Sequence, residues 1–216
     1  CTPPVSHLEV ARAAIEAGAD VLCEKPLARN SGEGKQMQQD AGELDRILMV
    51  GFTHRFFPPV QQIKEKIEDG SLGELVMFRN RFGARVHKTG HWHGRAEVAG
   101  GGVLMDTSIH SIDLFRFLMG EAAEVNALCG TVFNDAMETE ENGIVCLKTA
   151  NDALGVIEGT WGSTGPKAIL EVYGTRGSVV LDYVEATMSW ADEEQEWHTE
   201  PFEVGANEKF DLEIAH

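Results

Sequence analysis

Hydrophobic periodicity changes twice within the first fifty residues. Apolar positions recur at helical spacing over 7–18, and the stretch stops on a glycine, which predicts a helix. The next apolar run, 20–24, is short and is closed by Pro26, as in a buried parallel strand. A helix over 31–45 and a strand over 47–51 repeat the pattern. This alternation predicts part of a doubly wound parallel sheet.

The pattern changes class after Phe52. The predicted elements are then a helix (58–69), a strand (75–82), a helix that runs from the Gly-rich turn at 100–102 through Met119, and strands near 123–133, 142–149, 154–161, 168–173 and 178–183. Two-residue alternation and Asn-Gly or Gly-rich turns predict an open, largely antiparallel sheet. The acidic tract 192–196 is expected to be a solvated loop or strand edge.

The two ends of the sequence indicate a piece of a longer protein. A crossover helix normally joins two parallel strands, yet only the strand after the 7–18 helix is present, so we expect the first strand upstream of residue 1. Apolar residues from Phe210 to Ala215 begin a further helix where the sequence stops. We therefore expect an internal fragment.

Composition and charge restrict the possible partners. Thirty-five Asp and Glu against 18 Lys and Arg give 216 residues a formal net charge of -17. Binding nucleic acid or anionic lipid would require a basic stripe, so neither partner is expected. Apolar runs fall far short of the ~20 residues that cross a bilayer. We expect a cytoplasmic protein without membrane or nucleic-acid contacts.

Lys25 is the first candidate for chemistry. It lies between Glu24 and Pro26, at the carboxyl end of a predicted parallel strand, where open α/β sheets bind their ligands. Pro26 stops the strand and restricts the backbone beside the ammonium group. An ordinary solvated lysine is the alternative interpretation.

Asp106, His110 and Asp113 form the second candidate, because their spacing of i, i+4 and i+7 puts them on one stripe of the predicted helix. His110 would accept a proton near neutral pH, and Asp106 would orient it or bind a substrate hydroxyl. The alternative is structural: Asp106 at the helix N-terminus, His110 as a satisfied core histidine and Asp113 in a surface ion pair.

The segment 87–93 contains three histidines and Trp92. In an extended chain His91 and His93 would point to opposite faces, and no carboxylate is placed to complete a metal site. We therefore predict no metal, and we take His91 and Trp92 as part of a substrate-contacting loop.

Taken in order, these segments resemble a known family. The matching stretches are Thr2-Pro3-Pro4 with His7, the run from Ala17 to Ala28 with Glu24-Lys25-Pro26, the run from Val50 to Phe56, and the Gly-Gly-Gly helix with Asp106, His110 and Asp113. They resemble the glucose-fructose oxidoreductase, inositol dehydrogenase and rhizopine catabolism family (Gfo/Idh/MocA). The resemblance extends over nearly the whole chain.

The resemblance implies an NAD(P)-dependent dehydrogenase. It implies that 1–51 is the C-terminal part of a Rossmann domain and 52–216 a substrate-binding α+β domain whose open sheet forms a homo-oligomer. The family's Gly-rich loop, which holds the pyrophosphate, is not in this sequence, and we expect it upstream.

Site roles carry over position by position. The resemblance makes Lys25, Asp106 and His110 catalytic, with His110 as the acid/base. The predicted cofactor-binding residues are Thr2, Pro3, His7, Glu24, Lys25 and Pro26, with NAD or NADP as cofactor. The predicted substrate-binding residues are Arg55, His91, Trp92 and Asp106.

The implied reaction is oxidation of a secondary alcohol of a sugar or polyol, or its reverse. His110 would take the hydroxyl proton as hydride leaves carbon, and Lys25 would stabilise the alkoxide. A non-catalytic regulator or scaffold that only senses a dinucleotide is the alternative. The presence of Lys25, Asp106 and His110 together favours catalysis, since a sensor need not keep all three.

Overall fold

The protein is described by a computed structural model that covers residues 2–88, 90–134, 136–205 and 207–216. Its helices are α1 (His7–Glu16), α2 (Ser31–Glu43), α3 (Pro58–Glu68), α4 (Ala96–Ala99), α5 (Val103–Asp106), α6 (Ser108–Met119) and α7 (Glu208–Ala215). Its strands are β1 (Val21–Glu24), β2 (Leu48–Gly51), β3 (Leu75–Gly83), β4 (Ala122–Gly130), β5 (Asn142–Thr149), β6 (Leu154–Thr160), β7 (Lys167–Gly174), β8 (Ser178–Asp182), β9 (Thr187–Ala191) and β10 (Trp197–Pro201).

The first region contains a small parallel sheet. β1 pairs with β2 in parallel, with Val21 opposite Leu48 and Glu24 opposite Gly51. Both α1 and α2 pack beside these strands around the buried side chain of Met37. This confirms the predicted helix and strand alternation, and it places Lys25 immediately after the end of β1.

The second region is an eight-stranded sheet in the order β10-β9-β8-β7-β3-β6-β5-β4. Each neighbouring pair is antiparallel except β3 and β6, which run parallel. The prediction of an open, largely antiparallel sheet is therefore confirmed.

One face of this sheet is covered and carries the core. Val60 and Ile63 of α3 and Leu114 and Phe115 of α6 are completely buried, together with Phe78 of β3 beneath them. Burial of such side chains contributes roughly 1.5–3 kcal/mol each. The opposite face leaves apolar side chains exposed, namely Leu128, Ile144 and Leu154.

Strands β9 and β10 were not predicted from the sequence. β9 is a short segment of five residues, Thr-Met-Ser-Trp-Ala, and β10 is exposed along its whole length. They form because β8 supplies an edge that accepts their backbone hydrogen bonds. The acidic tract 192–196 is the loop between them, as predicted.

The predicted continuous helix from the Gly-rich turn to Met119 is wrong, because the chain breaks at Thr107 between α5 and α6. The Asp106 carbonyl accepts a hydrogen bond from Lys25 Nζ. The His110 N–H bonds to the Thr107 carbonyl instead, at 3.3 Å. A tertiary contact has replaced a helical hydrogen bond, and a second helix begins at Ser108.

Within the residues described, no helix combines the length and apolar character that crossing a bilayer requires. The division of the chain into 1–51 and 52–216 stays a prediction.

Candidate active site

Lys25 and Asp106 form an ion pair between the two regions. Lys25 Nζ lies 2.9 Å from Asp106 Oδ1 and also donates to the Asp106 carbonyl. Only 20% of the Lys25 side chain and 24% of the Asp106 side chain are exposed. Because the pair is largely shielded from water, it holds the ammonium group in one position.

Two further basic groups approach the same carboxylate. Lys88 Nζ lies 3.6 Å and His93 Nε2 3.8 Å from Asp106 Oδ2. Burial raises the pKa of Asp106, but Lys25, Lys88 and His93 outweigh it and hold that pKa below its ordinary value. Asp106 is therefore a carboxylate at neutral pH. Burial lowers the pKa of His93 to about 4.

The start of α5 is held by Glu140. Its carboxylate accepts hydrogen bonds from the N–H groups of Gly102 at 2.8 Å and Leu104 at 3.0 Å. Its carbonyl accepts from Val103 N–H at 2.8 Å. A side chain at position 102 would overlap that carbonyl, so glycine is required there. Asp106, at the end of this short helix, is positioned by the clamp.

His110 lies in α6 but does not bond to Asp106. Burial and the charges of Lys25 and Lys209 lower the pKa of His110 to about 3, against a raising effect of Asp106. Its ring is neutral at pH 7, and its Nδ1 is buried without a hydrogen-bond partner among the described residues. The expectation that Asp106 orients His110 through a shared helix face is therefore wrong, and only their charges interact.

His54 was missed by sequence reasoning, and no spacing signal could have found it. It follows β2 in a short 3₁₀ turn, and its ring lies 4.7 Å from the His110 ring and 5.6 Å from the Tyr183 ring, centroid to centroid. Burial, together with the nearby His110, Lys209 and Lys25, lowers the pKa of His54 well below its ordinary value.

Most of the predicted cofactor-binding residues share one cleft. A cavity of about 320 Å³ is lined by Thr2, Pro3, Pro4, His7, Glu24, Lys25, Trp92, His93 and Asp106. His7 Nδ1 and Nε2 lie 2.9 Å from the Pro26 carbonyl and 3.0 Å from the Thr2 carbonyl. His7 thus connects the two segments that form one wall of the cleft, and Pro26 contributes through its backbone.

Arg55 lies elsewhere. It makes a bidentate ion pair with Asp113, at 2.7 and 2.6 Å, and its guanidinium lies over the Phe117 ring. Asp113 is buried, which raises its pKa although Arg55 opposes the rise. Asp113 is therefore neither in a surface pair nor on a common stripe with Asp106. The structure does not bring Arg55, which was predicted to bind substrate, to the cleft.

The loop before α4 is not extended. Residues 92–94 form a 3₁₀ turn, so His91 and His93 come together with 2.9 Å between their Nδ1 atoms. Trp92 stacks on His93 with ring centroids 3.6 Å apart. Trp92 and His93 line the cleft, whereas His91 is exposed at its outer side. Lys88 and His93, which the sequence did not single out, are the loop residues nearest Asp106.

A second cavity of about 280 Å³ lies on the other side of Thr107. His54 and His110 are two of its lining residues, and most of the others are apolar or aromatic. Thr107 accepts a hydrogen bond from Trp161 Nε1 at 3.0 Å, which fixes that indole in the cavity wall. The site therefore has a charged cleft and a mainly apolar pocket, with His110 in the pocket and Lys25 in the cleft.

Two family models match the chain. Residues 1–52 match the oxidoreductase family with an NAD-binding Rossmann fold, and residues 60–180 match the GFO/IDH/MocA C-terminal domain.

Curated relatives and solved structures agree with these matches. Levoglucosan dehydrogenase of Pseudarthrobacter phenanthrenivorans is 33% identical over 84% of this chain and 54% of its own length. Myo-inositol 2-dehydrogenase of Thermotoga maritima is 29% identical over 90% of this chain and 59% of its own. The chain thus spans little more than half the length of these relatives. A levoglucosan dehydrogenase complex with NADH superposes with a TM-score of 0.93 at 28% identity, covering 99% of this chain and 67% of that one.

The order of the motifs and the family models lead to the same conclusion: this chain belongs to the GFO/IDH/MocA oxidoreductase family.

Proposed function

We propose that the protein oxidises a secondary alcohol of a neutral sugar or polyol with NAD as hydride acceptor, or catalyses the reverse reaction. The observation that carries this is the Lys25–Asp106 pair, which holds an ammonium group at the boundary of the cleft and beside His110. Relatives named for levoglucosan and myo-inositol support the substrate class.

His110 is the proposed proton acceptor. Its low pKa keeps the ring unprotonated at neutral pH, so a ring nitrogen can accept the hydroxyl proton. A ring with a pKa of about 3 is a weak base in the free protein. Negative charge that develops on the substrate oxygen next to it would favour the imidazolium and raise its basicity during the reaction.

Lys25 stabilises that developing charge. Asp106 orients the ammonium, and because Lys25 has an N–H left over after its two bonds to Asp106, it can also donate to an alkoxide. Lys25 and Lys88 hold the pKa of Asp106 below its ordinary value, so the orienting bond persists over the neutral pH range.

The cleft suits the nicotinamide end of the cofactor. Thr2, Pro3, His7, Glu24 and Lys25 would hold it, with the backbone of Pro26 fixed by His7. The cavity of about 320 Å³ is lined by Pro3, Pro4 and Trp92 as well as by polar groups, which suits a flat ring with a carboxamide. NAD, when bound, supplies the acceptor for the hydride.

The test is an absorbance assay for NADH formation with the complete natural protein that carries this sequence. Levoglucosan, myo-inositol and methyl D-glucosides are offered with NAD and with NADP. Turnover of at least one sugar or polyol is expected. Cofactor binding without turnover of any neutral sugar or polyol would favour the dinucleotide-sensing regulator instead.

The uncovered sheet face is the proposed contact to a second copy. Leu128 on β4, Ile144 on β5 and Leu154 on β6 are exposed on the same face of neighbouring strands, and an extended apolar surface of this kind is rare on monomers. Light scattering of the complete protein should give a multiple of the chain mass, and Leu128→Glu should lower it. A monomer at micromolar concentration would contradict this assembly.

A further inference from the structure

We propose that His54 and His110 together bind two neighbouring hydroxyl groups of the substrate, so that the site selects cyclic sugars or polyols with a free hydroxyl next to the carbon that is oxidised. This inference rests on the proposed function and adds His54 to it as a specificity-determining residue.

The geometry of the two imidazoles fits a vicinal diol. Their ring centroids are 4.7 Å apart with planes tilted by 53°, and both rings line the same cavity of about 280 Å³. His54 is supported by edge contacts with Phe82 and Tyr183 at 5.3 and 5.6 Å. Two imidazoles in contact can each reach one oxygen of a pair on adjacent carbon atoms.

Unpaired polar atoms are concentrated at this point. His54 Nδ1, His110 Nδ1 and the Tyr183 hydroxyl are buried and have no hydrogen-bond partner among the described residues. Buried polar atoms in folded proteins are nearly always paired, and groups that are not are a common feature of functional sites. These three atoms are shielded from the cavity, so the ring nitrogens that remain for a ligand hydroxyl are Nε2 of His54 and Nε2 of His110.

The charge state of the cluster selects neutral groups. Burial and neighbouring positive charges lower the pKa of both histidines, so both rings are neutral. A neutral imidazole has one donor and one acceptor nitrogen, as a hydroxyl group has one proton and lone pairs. Lys167 also lines this cavity, but its ammonium lies 3.5 Å from the Asp182 carboxylate, and the two imidazoles carry no charge for a carboxylate or phosphate to pair with.

The rest of the cavity fits the C–H faces of a ring. Its apolar and aromatic lining residues are Phe82, Ala84, Val86, Trp161, Pro166, Ala168 and Val184. Trp161 is fixed by its bond to Thr107, so it presents a rigid surface. An apolar wall with two neighbouring imidazoles at one end is matched by a cyclic polyol that has an apolar face and a hydroxylated edge.

A cycle of enzyme and substrate variants tests the inference in the complete protein. The probes are levoglucosan, myo-inositol and methyl β-D-glucoside, and for the best substrate its derivatives that lack one hydroxyl. His54→Phe keeps the aromatic volume but removes both nitrogens, whereas His54→Gln keeps a donor and an acceptor. The exposed His198, on β10 against Trp190, provides the control His198→Asn.

For the wild type, loss of the hydroxyl next to the oxidised carbon should lower kcat/KM by roughly 10-fold. His54→Phe should lower kcat/KM on the intact substrate by a similar factor, mainly through a higher KM. In this variant the deoxy compound should have the same kcat/KM as the intact substrate. His54→Gln should restore part of the selectivity, and the His198 control should keep all of it. His54→Phe should melt at or above the wild-type temperature, because it removes unpaired buried atoms.

The inference is overturned if His54→Phe and the missing hydroxyl lower kcat/KM independently, so that their effects multiply. It is also overturned if His54→Phe still discriminates against the deoxy compound as strongly as the wild type does. Should His54→Phe fail to fold, His54→Leu, which also removes both nitrogens, gives the same cycle. Wild-type turnover of the intact probes tests the proposed function separately. In the absence of turnover, quenching of tryptophan fluorescence by the same probes gives the cycle at equilibrium, and no binding of any probe would overturn both proposals.

Discussion

The two sides of the site use opposite kinds of polar group. In the cleft, Lys25, Lys88 and Asp106 are charged and already paired with one another. In the pocket, His54 and His110 are neutral and have buried nitrogens without partners. The cleft therefore keeps its geometry without a ligand, whereas the imidazoles of the pocket are available to form hydrogen bonds with a ligand.

This difference indicates a division of labour. A buried charge without a partner would be costly, so Lys25 needs Asp106 even before substrate arrives. Neutral imidazoles cost less to leave without a protein partner, and their nitrogens that face the cavity can pair with substrate hydroxyls. The comparison predicts that changes in the cleft and at His110 act mainly on kcat, and that changes elsewhere in the pocket, at His54 above all, act mainly on substrate selection.

Removal of the cleft ammonium should have the largest effect. Lys25→Met should lower kcat by roughly 10²- to 10³-fold with little change in the dissociation constant of NAD, because an electrostatic contact to the developing alkoxide is lost. Steady-state kinetics and calorimetric titration measure the two quantities. Lys64→Met, which removes a lysine paired with Glu68 on α3, is the control and should keep wild-type kcat. Equal losses in both variants would remove Lys25 from the chemistry.

His110→Asn should follow, with kcat lower by roughly 10²-fold, because a positioned proton acceptor contributes about that much or more. The acid limb that reports deprotonation of the ring should disappear from the pH profile. If activity and limb both remain, His110 is a structural histidine and Lys25 is the remaining acid/base candidate.

The clamp at α5 gives a test of how firmly the cleft is held. Gly102→Ala should lower stability by about 1–3 kcal/mol and reduce kcat as well, because the new methyl group displaces the Glu140 carbonyl and shifts Asp106. Chemical denaturation and kinetics on the same samples measure both. Gly42→Ala in α2, where an added methyl group meets nothing within 4 Å, is the matched control and should not lower stability. Unchanged kcat in a destabilised Gly102→Ala would show that Asp106 tolerates displacement.

The buried neutral histidines, one in the cleft and one in the pocket, should make stability sensitive to mild acid. The pKa values of His93 and His110 are about 4 and about 3 in the folded state, below the unfolded value of about 6.5. The unfolded chain therefore binds more protons between these limits, and stability falls as pH falls from about 6.5. The slope for each histidine is about 1.4 kcal/mol per pH unit within its window. Urea unfolding at pH 7, 6 and 5 measures it, and a smaller decline is expected in His110→Asn. Equal stability at the three pH values would contradict burial of neutral histidines.

The sequence predicted elements well where local pattern and turn residues agree. β5 was predicted with its observed bounds because alternating apolar residues lie between Asn142 and Thr149 and turn sequences flank them. β10 was missed because its exposed residues carry no alternation, and its strand form depends on pairing with β9.

The site was predictable only in part, for the same reason. Lys25, Asp106 and His110 are visible through motif order, but the break at Thr107 depends on a hydrogen bond between residues 81 positions apart. His54 and Lys88 have no local signal, since they reach the site only when β2 and the loop after β3 are placed around α5 and α6. Spacing along one helix therefore gave the wrong partner for His110.

The smallest expected effect concerns how the two sides are coupled. The Lys25 charge lowers the pKa of His110 and the Asp106 charge raises it. Lys25→Met should therefore raise the pKa of His110, and Asp106→Asn should lower it. Ring carbon shifts of His110, followed by NMR between pH 7 and 3.5, measure this: titration should move upward into this range in Lys25→Met and stay below it in Asp106→Asn. Burial is the largest influence on the pKa of His110. If both variants shift this pKa in the same direction, a change in the burial of the ring, and not the loss of a charge, connects the cleft to the pocket.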